Sequence, residues 1–482
     1  MMKKGSCFLI CIILVQICCC GFAGNNARKL LTARTVKIDT IFKYYQDRTP
    51  ESIASEIELN GFEGVYYMVI DERKVSKELV AELQSRGMPV AALFFAASIY
   101  DNNDTFPAGW QNWLVEFTTN DMKEFKFLSF VHKDYRDWMK TRIVNDFKKF
   151  GFDGFTFCEP MYAIFDGPTK TPVLYGDVSK TFQTVFMNET GNTAFPDFND
   201  ANSPNYFKKN TALYNDLVNF RIKTVNDFYG EIVNGKNGLR ENFPNIIVAT
   251  WSLGVDIENA LEKLREWEGC DTESMVKCVR PDIHFVQTHA PDWIKPQLRG
   301  DYCKTYRDFF AAAKKAKPDV KIGVQTDVGS LPSMRRDPNW LSEFYKTCQS
   351  ENVDTTTYYE FSIRWEIYSQ PPVLKKKEFI KPNILKLYFD QRLAKSNKEI
   401  VAGRTIYSQT GKEYAVSDVK VDGNILYLTL NKTIEVPTKL IIPLGCICND
   451  PSVRWPLSQL EPKPYGPVNA IAADFREEFL IQ

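Results

Sequence analysis

Histidine is the scarcest chemically versatile residue in this chain, with three in 482 residues: His132, His284 and His289. No HxH, HExxH or CxxC spacing occurs, so the ligand patterns of zinc sites are missing and no metal or other cofactor is expected. No GxSxG marks a serine-hydrolase elbow, and GDVSK and VNGKNG are too short for phosphate-cradling loops. Neither sign of charge is in excess, Lys+Arg and Asp+Glu standing at 60 each. Without Lys3 and Lys4 the balance is 58 against 60, a net of −2. That balance argues against a nucleic-acid partner, and no charge run suits a membrane surface. Past the first two dozen residues, no apolar run approaches the ~18 residues of a membrane span.

The chain opens instead on what reads as a signal peptide, residues 1–23. Lys3 and Lys4 precede an apolar stretch at 7–20, and the small residues Gly21 and Ala23 suit cleavage after Ala23. A secreted, extracellular protein is expected. The leader takes with it five of the 12 cysteines and leaves Cys158, Cys270, Cys278, Cys303, Cys348, Cys446 and Cys448. An odd number in an oxidising compartment leaves one thiol free in a monomer. Cys270–Cys278 would close a short loop and Cys303–Cys348 is a second reasonable pair, though spacing leaves the connectivity open. Cys158 is the expected free, buried thiol. Asn103-Asp-Thr105, Asn188-Glu-Thr190 and Asn431-Lys-Thr433 are glycosylation sequons.

From residue 35 the pattern alternates. Short apolar strands are expected at 36–44, 64–70, 89–97, 153–157, 245–251, 282–287, 321–325 and 355–361. Helical periodicity falls between them, at 50–60, 76–86, 133–149, 214–233, 257–267, 304–315 and 340–350. Several continuous apolar strands covered on both faces, with a helix after each strand but the last, describe a (β/α)8 barrel, here residues 35–398, with 381–394 closing the ring. Two long excursions, 100–132 and 161–244, suit a substrate cleft or a cover for the barrel rim. From 399 to 482 the texture changes to short alternating strands and Gly-containing turns, expected to form a small β-sandwich.

The stretch KFGFDGFTFCEPMYAIFDG, residues 149–167, concentrates the functional signal. A helix ends at Gly151, a buried strand follows, and Glu159 stands just past its C-terminal end, where barrels of this kind keep their chemistry. Glu159 is the leading catalytic candidate.

Several segments resemble exported glycoside-hydrolase-like barrels of the hypothetical glycosidase families. The unit HKDYRDWMKTRIVNDFKKFGFDGFTFCEP resembles their helix leading into a DG strand with acidic residues at its tip. Residues 180–233, including NFRIKTVNDF, are similar to their extended fourth loop and helix, and RPDIHFVQTHAPDW to their sixth strand. Many such proteins are acidic at both positions matching Cys158 and Glu159, so the cysteine is a departure.

The resemblance implies glycoside hydrolysis, which requires two carboxyl groups: one to protonate the leaving oxygen, one as nucleophile or base. Glu159 fits the proton donor. Asp327, after strand seven, and Glu360, in strand eight, compete for the second role; Asp327 also suits loop capping, and Glu360 faces outward if the strand register slips by one. Tyr44, Trp251, Gln287, His289, Trp293, Gln325 and Trp365 are expected to line the rim, since sugars offer hydroxyls and apolar faces to aromatic and amide groups. The expected partner is a carbohydrate substrate. A non-catalytic, lectin-like barrel is the alternative, favoured by the missing acid at Cys158.

Overall fold

The computed structural model describes residues 26–99, 103–119, 126–162, 175–331, 334–364, 370–434, 438–450 and 473–481. Eight parallel strands close into one barrel in chain order: β1 (Arg34–Ile38), β2 (Gly64–Met68), β3 (Val90–Phe95), β4 (Gly154–Cys158), β5 (Ile247–Gly254), β6 (Ile283–Thr288), β7 (Lys321–Asp327) and β8 (Thr355–Tyr359). Closure comes from β8 pairing back onto β1, with Val36 opposite Tyr358.

Two apolar layers hold the barrel. Its interior packs Tyr66, Met68, Leu93, Cys158, Trp251 and Phe285. Its outer face meets the helices through residues such as Val36, Phe155, Phe157 and Tyr358. The strand β4 shows why its sequence is so aromatic: Phe157 lies 5.0 Å from both Phe228 and Tyr229, ring centre to ring centre, on helix Thr211–Asn234. Gly323 on β7 is a packing requirement, because a Cβ there would run into the Phe285 ring. The first excursion covers the barrel's side: Phe106 stacks on Trp138 at 4.7 Å, and Trp113 lies 5.7 Å from Tyr135.

The small C-terminal β domain is a seven-stranded antiparallel sheet, ordered β15-β14-β11-β12-β13-β10-β9. It comprises β9 (Leu374–Lys381), β10 (Ile384–Phe389), β11 (Thr405–Ser408), β12 (Glu413–Asp422), β13 (Ile425–Leu430), β14 (Thr438–Ile447) and β15 (Ala473–Ile481). The sheet thus takes in residues ahead of 399. Residues 381–394, expected to close the barrel ring, instead supply β10 and part of the β9–β10 hairpin. Among the described residues, no helix is long and apolar enough to cross a membrane.

Helix Pro50–Leu59 docks on this sheet through buried polar contacts. Thr49 donates its N–H and its hydroxyl to the Asp422 carboxylate at 2.9 and 2.6 Å, and Ser52 donates to the Asp422 carbonyl at 2.8 Å. Arg48 and Glu56 form a fully buried ion pair at 2.7 Å. Tyr44 belongs to this junction: it is fully buried, its hydroxyl donates to Glu56, and its carbonyl accepts from Arg392. Gly423 has φ +56°, and a Cβ there would collide with Ser52 and Arg48. Gly423→Ala is expected to lower stability by about 2–4 kcal/mol, through backbone strain and overpacking. Denaturant unfolding checks this; an unchanged midpoint would show that the junction yields freely.

Candidate functional site

The strands' C-terminal ends bring a charged cluster to the barrel mouth. Lys37 enters it from β1, flanked by the apolar, outward-facing Val36 and Ile38, and is 1% exposed. Its ammonium lies 4.0 Å from the Trp251 ring centre, 5.8 Å from that of Tyr359 and 4.0 Å from Cys158 Sγ. Burial pulls its pKa down, against the opposing pull of Cys158, Glu159 and Asp327. Cys158 is a free, buried thiol pushed up to about 12 by burial, and so is no nucleophile at neutral pH.

Glu159 follows directly, turned by a left-handed backbone with φ +54°. Its carboxylate accepts from the Ser98 hydroxyl at 3.2 Å. Burial is the main cause that holds it above the usual carboxylate range; Glu268 adds to this, while Ser98, Lys37 and His289 oppose it. A carboxyl that burial makes hold its proton more tightly than usual, yet beside a cation, is chemically suited to proton transfer.

Asp327 ends β7. Gly329 and Ser330 donate backbone N–H groups to its Oδ1 at 3.0 and 2.9 Å, and the Ser330 hydroxyl donates to Oδ2. It therefore caps its own loop, and it also faces Lys37. Burial raises its pKa while those donors and Arg336 lower it.

Glu360 stands apart from this cluster. It lies just past the end of β8, among Asp39, Tyr45 and Ser362. There Glu360 is fully buried and accepts from the Asp39 N–H at 3.1 Å, the Ser362 N–H at 2.8 Å, and the hydroxyls of Tyr45 and Ser362. These four donors make it a strut between the ends of β1 and β8.

The remaining rim candidates divide. Trp251 is 1% exposed in the barrel interior because β5 runs on to Gly254, and its ring supports Lys37 instead of facing solvent. Gln287, His289 and Trp293 sit at the mouth with partial exposure. Gln325 is buried, and its Oε1, like Trp251 Nε1, has no hydrogen-bond partner among the described residues. Trp365 lies outside the described residues.

Sequence reasoning missed Lys37, Ser98 and Glu268. Lys37 carried a signal, a charge set between the apolar Val36 and Ile38. Glu268 carried none, since only the fold brings the end of helix Ala260–Glu268 to the mouth. Its buried carboxyl lies 3.0 Å from His289 Nε2 and is pushed up by burial, against His289 and Arg221. His289 Nδ1 accepts from the Ala290 N–H at 2.7 Å, which leaves the proton of the neutral ring on Nε2, facing Glu268. A recess of about 10 Å³, room for roughly one water, is lined by Glu159, Pro160, Trp251, Leu253, Cys270 and Gln287. Among the described residues, no group of three His, Cys, Asp or Glu side chains is placed to hold a metal.

No family model matches the chain, and no curated protein matches it. Solved structures do resemble it, glycoside hydrolases among them. The likeness is one of fold. The β-galactosidase of the psychrophilic Marinomonas ef1 matches over 68% of this chain and 53% of its own, at 11% identity and a TM-score of 0.44. The chain thus spans about half the length of that enzyme. The endo-1,4-β-D-mannanase of Thermotoga petrophila matches 68% of this chain and 88% of its own, at 10% identity and a TM-score of 0.38. The glycoside hydrolase domain of PelA from Pseudomonas aeruginosa matches 68% and 94%, at 11% identity and 0.36.

A pH dependence follows from the strut. Burial is the leading cause that lifts Glu360 from 4.5 to about 7, and burial followed by Glu360 lifts Asp39 from 3.8 to about 7. Both carboxyls bind a proton more tightly in the folded state than in the unfolded one. Their favourable contribution is complete below about pH 4 and is lost as pH rises through about 7. Melting temperature measured from pH 4 to 8 should therefore decline less steeply in Glu360→Gln than in wild type. Parallel profiles would contradict the shift.

Proposed function

We propose that this protein is an exported glycoside hydrolase acting on a polysaccharide or glycan, with Glu159 as proton donor and Asp327 as its carboxylate partner. The observation that carries the reading is the shared setting of the two groups: both lie at strand ends on one mouth and both interact with the buried Lys37. Protonated Glu159 would give its proton to the glycosidic oxygen as the C–O bond breaks. The Asp327 carboxylate, its charge supported by Gly329 and Ser330, would attack the anomeric carbon or activate a water against it. Glu360 is the weaker partner because four donors beyond the ends of β1 and β8 already hold its carboxylate. Gln287, His289 and Trp293 are the side chains best placed to meet a sugar.

A carbohydrate-binding barrel without hydrolytic activity is the second reading. It is favoured by the water-sized recess beside Glu159 and by the burial of Trp251, which removes one aromatic platform.

A glycan panel separates the two. Hydrolysis of some member is expected, with turnover falling roughly 10²–10⁴-fold in Glu159→Gln while binding is retained. An undiminished rate in the variant would remove Glu159 from the mechanism. Binding without hydrolysis by wild type would favour the second reading.

A further inference from the structure

In the apolar layer outside the barrel, two buried thiols face each other. Cys303 sits in the short turn Tyr302–Tyr306 that follows the His289–Trp293 segment, and Cys348 near the end of helix Pro338–Ser350. They are 0% and 2% exposed, with sulfurs 3.8 Å apart. The turn and helix are already held together on both sides of the pair. Tyr302 stacks on Trp340 and Phe344 at 6.0 and 5.9 Å, with ring planes 18° and 10° apart. Arg307 meets Glu351 at 2.5 Å. Small side-chain rotations between segments fixed in this way would bring two sulfurs in contact to the ~2.05 Å of a bond.

We propose that Cys303 and Cys348 form a structural disulfide in the oxidised protein, a modification independent of the proposed hydrolysis. The two thiols give two electrons and two protons to a low-molecular-weight disulfide such as oxidised glutathione. One sulfur forms a mixed disulfide and releases one glutathione thiol; the second sulfur then displaces the other, forming the protein S–S bond. The crosslink ties that turn to the helix that follows β7. Tyr302 extends that restraint to the end of β6, its hydroxyl 2.6 Å from Thr288 Oγ1. Cys158 and Cys278 make other contacts, the first against Lys37 and the second donating to the Asn226 carbonyl at 3.4 Å.

The full chain, produced through a secretory compartment and then incubated in a glutathione redox buffer, is denatured in a thiol-alkylating reagent without reductant, digested with trypsin and mapped by mass. The expected result is the peptide GDYCK joined to TCQSENVDTTTYYEFSIR, about 2 Da below the sum of the two thiol forms, with Cys158 and Cys270 alkylated. Reductant should then lower the melting temperature by about 5 °C, and have no such effect on Cys348→Ala. Alkylation of both Cys303 and Cys348, or either one linked to a different cysteine, would overturn the proposal, and the mapping needs only the wild-type chain.

Discussion

Lys37 carries an ammonium group into the interior of an eight-stranded parallel barrel, where water cannot solvate it, and the arrangement of the mouth follows from that constraint. A buried cation is tolerated only when opposite charge or polarisable surface surrounds it. Here the Trp251 face supplies the surface, while Glu159 and Asp327 supply the charge. The same lysine opposes the effect of burial on Glu159. The cation and the carboxyls therefore form one electrostatic unit, and each would be more costly to bury without the others.

Buried carboxyls elsewhere in the molecule do different work. Asp422 receives Thr49 at the junction between barrel and sheet, and Glu360 gathers four donors between β1 and β8. Each is saturated by local donors, which suits a structural tie. Glu159 accepts from Ser98 and otherwise faces charges at a distance, and Glu268 faces His289 and the charge of Arg221. This contrast in local satisfaction, more than the barrel itself, singles out the mouth, because the same fold serves many chemistries.

Much of this was legible in the chain and some was not. The unit ending in Glu159 could be read because a helix, a turn and a buried strand follow one another within thirty residues, each with its own periodicity. Residues 381–394 misled because ILKLYF has too few residues to separate alternation from helical spacing, and because the lysine-rich LKKKEFIK beside it does not look like a strand. It is an edge strand, and lysines there discourage pairing with other chains. Trp251 looked like a rim residue because β5 appeared to stop there; three further residues of strand put it inside the barrel. Lys37 and Glu268 meet Glu159 only through tertiary structure, across separations no local pattern records.

The central claim is that Lys37 lowers the proton affinity of Glu159 against the effect of burial. Difference infrared spectroscopy of the carboxyl band, with Glu159→Gln as the blank, reads that titration without any substrate. Removing the cation in Lys37→Met should move Glu159 deprotonation to higher pH, since Lys37 favours the ionised carboxylate. An unchanged titration, or one moved to lower pH, would contradict the account.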